Sequence, residues 1–146
     1  MQNELSRRRF VEGLAATAAG VALLGCHSKE PSGQATGVQN PDGSITVPGA
    51  GDLTAGQSTT FLLANGSTGI VFVSAQGVHG AVDGKCTHAG CIVWFQTAPG
   101  GGNVLNCPCH GSVFNLTGAV EHGPAKRPLT AYTVSVSGDD AVLRKA

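Results

Sequence analysis

The sequence predicts an all-β domain, a sandwich or small barrel, from residue 45 to the end. Three observations predict it. Short β-type apolar runs recur at regular spacing between turn residues. Near the end, Tyr132, Val134 and Val136 alternate with Thr133, Ser135 and Ser137, the period of a half-buried strand. No stretch after Ile45 shows a convincing helical period, whereas 22 Gly and 7 Pro supply turn signals.

Taken in order, residues 59–63 form the first run, closed by Asn65-Gly66. Residues 70–73 follow and end near Gln76-Gly77; residues 78–82 run into Asp83-Gly84. Residues 92–95 lead to Pro99-Gly100-Gly101-Gly102. The alternating run 132–136 turns at Gly138-Asp139-Asp140 into a last strand over 141–144. One Trp and one Tyr leave a mainly aliphatic core. Trp94 and Phe95 are expected to pack under the neighbouring loops, His79 to be structural and His122 to lie on the surface. A domain of about 100 residues holds a modest core and often gains stability from a metal or a disulfide.

Charge narrows the partners. Net charge is zero, and beyond residue 25 six Lys/Arg face seven Asp/Glu. That balance carries no footprint for nucleic acid and no polybasic membrane patch.

The N-terminus reads as an address. Arg7, Arg8 and Arg9 precede an uncharged stretch from Gly13 to Ser28, the layout of an export signal over residues 1–25. Ser6-Arg7-Arg8-Arg9-Phe10 resembles a twin-arginine signal with Arg7 and Arg8 as the pair. Leu23-Leu24-Gly25-Cys26 resembles a bacterial lipobox, which implies a lipid on Cys26 as the first mature residue. Two alternatives stand beside it: an uncleaved membrane anchor, and a cysteine merely near a cleavage site. The charge-free stretch of 16 residues is shorter than the roughly 20 that a spanning helix needs. Residues 26–44, rich in Gly, Pro and Ser without apolar period, are expected to be a flexible tether. The expected location is therefore the outer face of the cytoplasmic membrane.

The chemistry lies in two segments, Cys86-Thr87-His88-Ala89-Gly90-Cys91 and Cys107-Pro108-Cys109-His110-Gly111-Ser112. Each offers two sulfurs and one imidazole. A zinc site is one reading, although Cys86 and His88 stand closer than zinc ligand pairs usually do. A plant-type ferredoxin would need a further Cys two residues after Cys91, which is absent. A catalytic Cys–His pair would leave three cysteines idle, and a purely two-disulfide scaffold would ignore the histidines.

The two motifs together resemble the Rieske family, across roughly residues 58–144. The resemblance implies one 2Fe–2S cluster, with Cys86 and Cys107 on one iron and His88 and His110 on the other. It implies a disulfide between Cys91 and Cys109, the mark of the respiratory type found in cytochrome bc complexes and arsenite oxidase. Such a bond suits an oxidising compartment. The implied fold is an antiparallel sandwich or barrel with a small cluster-binding subdomain. Ser112 matches a serine that donates to a bridging sulfide. Phe114 stands where high-potential relatives carry a Tyr, which implies a lower potential here. Gly123 and Pro124 resemble the proline-rich loop that covers the cluster. The implied function is one-electron transfer without a bond-making site of its own. The expected partner is a cytochrome or a molybdenum subunit, with quinol as a further candidate and a structural zinc module as the contrasting alternative.

Overall fold

The computed structural model describes residues 34–146; the export signal, Cys26 and the first part of the expected tether lie outside them. Twelve strands are present: β1 (Ala35–Thr36), β2 (Val38–Gln39), β3 (Ile45–Val47), β4 (Ser58–Leu62), β5 (Thr68–Val73), β6 (His79–Asp83), β7 (Trp94–Thr97), β8 (Asn103–Asn106), β9 (Val113–Phe114), β10 (Val120–His122), β11 (Ala131–Ser137) and β12 (Asp140–Lys145). Among the described residues the helical element is a single 3-10 turn, Ala50–Asp52. The all-β expectation is borne out.

Eight strands form a nearly closed sheet in the order β1-β4-β5-β6-β11-β12-β3-β2. Its two ends, β1 and β2, are separated in sequence only by Gly37. One extended segment thus joins both edges, β1 running parallel to β4 and β2 antiparallel to β3. This corrects the tether expectation for residues 34–44. Two-residue pairings, of β1 with the distant β4 and of β2 with the following β3, order the segment, although it has no apolar period. The Gly37 N–H donates to the Leu62 carbonyl at 3.0 Å. A Cβ on Gly37 would meet Leu63 Cδ2 and Phe61 Cδ2 at 2.9 Å, so the seam closes directly on the core.

The run 68–73 is buried on both faces because two cores share it. Val71 packs inside the barrel with Ile45, Val47, Phe61, Leu63, Ala81 and Leu143. Ile70 and Phe72 face outward with Val82, against Val93, Leu105, Phe114 and Leu129. Aromatic rings lie over cross-strand glycines. Phe72 pairs with Gly80, where a Cβ would stand 2.5 Å from its ring. Phe61 covers Gly69 in the same way.

The four-stranded sheet β10-β9-β8-β7 is inserted between β6 and β11. Phe95 on β7 stacks on Phe72, centroids 5.1 Å apart, and so seats the insertion on the barrel. The Ala75 N–H donates to Asn103 Oδ1 at 2.7 Å nearby. At the neck, the Asp83 N–H bonds the Thr130 carbonyl and the Tyr132 hydroxyl donates to Asp83 Oδ1 at 2.6 Å. Burial, reinforced by Asp83, pushes the Tyr132 phenol above its usual value. Trp94, expected to pack beneath the loops, is instead 60% exposed on the edge strand β7, because Phe95 occupies the inward position.

Candidate metal centre

Both motifs fold into the same turn. In the first, the Cys86 N–H donates to the Cys91 carbonyl at 2.8 Å and the Gly90 N–H to the Cys86 carbonyl at 2.8 Å. In the second, the Cys107 N–H donates to the Ser112 carbonyl at 2.8 Å and the Gly111 N–H to the Cys107 carbonyl at 3.0 Å. Gly90 and Gly111 both take a positive φ, 79° and 75°, which a side chain would strain. The first loop is closed by the Lys85–Ile92 bridge, the second by the Asn106–Val113 pair of β8 and β9. The frames match at their first positions, Cys86 and Cys107, and at their last, Cys91 and Ser112.

The donors separate by depth. Cys86 and Cys107 are free and buried, 3% and 2% exposed. His88 and His110 are exposed above them, ring centroids 4.8 Å apart and nearly perpendicular. Cys91 and Cys109 form a disulfide that joins the two loops. Burial, and then the neighbouring Cys86 thiol, push the Cys107 thiol above its ordinary pKa. The sulfurs of Cys91, Cys107 and Cys109 lie within 4.8 Å of one another. Two of these are oxidised to the disulfide, which leaves Cys107 as the thiol of that group.

A third loop caps both turns. The Ala125 N–H donates to Ser112 Oγ at 3.0 Å, and Ser112 is fully buried. The Thr87 hydroxyl donates to the Arg127 carbonyl at 2.5 Å. Gly123 and Pro124 lead into this loop and are exposed. Phe114 is fully buried two residues beyond Ser112, in the core beneath the loops. Sequence reasoning missed Thr87, whose only signal was its place between Cys86 and His88. His122 is exposed, as expected; His79 is half-buried, and its Nε2 has no hydrogen-bond partner.

The donor set fits a cationic iron–sulfur group. Two buried thiols stand side by side, and the desolvation that raises the Cys107 thiol is offset by a bound metal charge. The fully buried Ser112 hydroxyl accepts from Ala125 and keeps its own proton to donate.

Comparison with known proteins agrees. Residues 44–133 match the Rieske [2Fe-2S] domain family. The cytochrome b6-f complex iron-sulfur subunit of Chlorobaculum thiosulfatiphilum is 34% identical over 109 residues, 75% of this chain and 57% of that protein. The subunit of the same name from Synechococcus sp. strain JA-3-3Ab is 32% identical over 149 residues, 93% of this chain and 85% of that one. The ferredoxin of carbazole 1,9a-dioxygenase from Nocardioides aromaticivorans IC177 has the same fold. It has a TM-score of 0.56 and 23% identity, and the match covers 76% of this chain and 99% of that one. With the matched domain spanning both cysteine–histidine loops, this chain belongs to the Rieske [2Fe-2S] family, whose domain takes one 2Fe–2S cluster.

Proposed function

We propose that the chain is a one-electron carrier held at the outer face of the cytoplasmic membrane. Cys86 and Cys107 hold one iron from below; His88 and His110 hold the other at the surface. The observation that carries this is the depth order of the donors, two buried thiols beneath two exposed imidazoles. When bound, a cluster with two imidazole ligands supplies a one-electron couple at higher potential than an all-thiolate one. The chain's own residues set the conditions. Ser112 offers a hydroxyl proton to sulfur. Thr87 and Ala125 hold the covering loop down and limit water. The Cys91–Cys109 bond keeps both turns in one piece.

Export through Arg7 and Arg8 and a lipid on Cys26 complete the proposal. Among the described residues, no helix is long and apolar enough to cross a membrane. The names of the two curated relatives favour a cytochrome partner within a bc-type complex over a molybdenum subunit of the arsenite-oxidase kind. Haem b co-purifying with the chain from native membranes is the expected outcome of that reading; molybdopterin would reverse the preference.

Electron paramagnetic resonance of the dithionite-reduced full chain tests the centre itself. An anisotropic spectrum with average g below that of all-cysteine clusters is expected. A silent spectrum with zinc bound would leave only a structural module.

A further inference from the structure

The disulfide does not stand alone. The sulfurs of Cys91, Cys107 and Cys109 lie within 4.8 Å of one another, and Cys107 is the free thiol among them. A thiol at that range from a disulfide is a nucleophile beside its own electrophile. Cys86, the other free thiol of the described residues, does not belong to the group of three, so Cys107 is the better placed attacker.

Two sulfurs can be attacked, and the chain distinguishes them. Attack on Cys109 would close a ring over Pro108 alone, whose φ is fixed. Attack on Cys91 joins the first loop to the second, as the existing bond does. It also changes the depth of the free sulfur. Cys107 is buried, whereas Cys109 is exposed. The thiol left over therefore moves from the interior to the surface, where water solvates it.

We propose that the metal-free, oxidised chain rearranges its own disulfide from Cys91–Cys109 to Cys91–Cys107 and so closes the metal site to itself. The step balances without a co-reactant. The Cys107 sulfur, its proton given to water, bonds the Cys91 sulfur. The Cys91–Cys109 bond breaks with its electron pair on Cys109, which takes up a proton. Nothing is oxidised or reduced overall, and the two loops stay joined. Afterwards Cys107 has no thiolate to offer, and Cys86, His88 and His110 are left as donors. Cys107 held on iron is not free to attack, so a loaded site preserves the native pairing. The inference rests on the reading of Cys107 as a ligand and adds an order to assembly: the metal site fills before the disulfide closes.

The full-length holoprotein is the starting material, and its paramagnetic signal certifies the loaded site. Iron is removed under argon at acid pH, where exchange is suppressed and sulfide is purged as gas. The sample is then returned to neutral pH without oxidant or reductant, and free thiols are trapped with N-ethylmaleimide at intervals. Cleavage after Trp94 and Leu105 separates Cys91 from the peptide that carries Cys107 and Cys109, and fragmentation at Pro108 tells those two apart. Label on Cys107 should give way to label on Cys109 over minutes to hours, with Cys91 and Cys107 recovered in one disulfide. Holoprotein kept loaded in parallel should retain the Cys91–Cys109 bond. Label that stays on Cys107 throughout would overturn the proposal. So would label spread evenly over Cys86, Cys91, Cys107 and Cys109, the pattern of a sample held in urea, because it reports unfolding and scrambling rather than a directed exchange. Cys107→Ser supplies a further check. Without that thiol the Cys91–Cys109 bond should persist over the same period, and its loss would assign the attack to another cysteine and sink the idea. A holoprotein with no paramagnetic signal at the start would instead indict the metal-site reading.

Discussion

The Ser112 hydroxyl accepts the Ala125 N–H and is fully buried, so its own proton is available to a sulfur acceptor. A donor to sulfur favours the more negative, reduced state. A hydrogen bond worth about 1 kcal/mol more to that state moves a one-electron couple by roughly 40 mV. Ser112→Ala should therefore lower the reduction potential by about that amount, read by potentiometric titration of the paramagnetic signal. Phe114→Tyr tests the neighbouring position. Phe114 is fully buried, so an added hydroxyl must find an acceptor or destabilise the chain. A rise in potential with stability retained means that it finds a ligand sulfur; a fall in stability with no rise means that it does not. At this scale the sequence marked the two matching loops, each with two sulfurs and one imidazole, while the assignment of ligands to each iron came from the family resemblance. Thr87 was not legible, since its partner is a carbonyl 40 residues away and any residue offers a carbonyl.

Strands 58–62 and 68–73 were legible because each is a continuous β-type run that pairs with its neighbour across a short turn. The seam strands β1 and β2 were hidden because each is only two residues long, and β1 pairs with β4 rather than with a neighbour. The seam is nonetheless needed to close the barrel. Gly37→Val would force a Cβ to within 2.9 Å of the buried side chains of Phe61 and Leu63. Overpacking of this kind costs about 1–3 kcal/mol, to be measured by urea denaturation. An unchanged midpoint would mean that the seam opens freely. The turn after β2 carries its own signature. The Ser44 hydroxyl and N–H, then Arg144, lower the Asp42 carboxyl to about 2. Its contribution is present above the ordinary carboxylate value of 3.8 and is lost as pH falls toward 2. The stability difference between the wild type and Asp42→Asn should therefore shrink between pH 5 and pH 2. A constant difference would show that the carboxylate does not stabilise this turn.

Across the whole molecule, the barrel has a core of its own, whereas the insertion completes its core with barrel residues. Val71, Phe61, Leu63 and Leu143 pack with one another inside the barrel. Val93, Leu105, Phe114 and Leu129 depend on Ile70, Phe72 and Val82, and reach them across the Phe72–Phe95 stack. This asymmetry was not legible in the sequence, because nothing in residues 68–73 says which of two alternating faces meets a second sheet. It sets the response to iron removal. Without metal, the buried thiols of Cys86 and Cys107 lose the charge that justifies their position, while the Cys91–Cys109 bond still ties the loops. Chelation should therefore raise amide hydrogen exchange across residues 84–93 and 104–129 and leave β3, β4 and β12 protected. Gly80→Val should carry the effect further even with iron bound. A Cβ there would stand 2.5 Å from the Phe72 ring, displacing it and loosening its stack on Phe95. Exchange that rises uniformly over both sheets on chelation would show instead that the barrel and the insertion unfold as one unit and that the barrel core cannot stand alone.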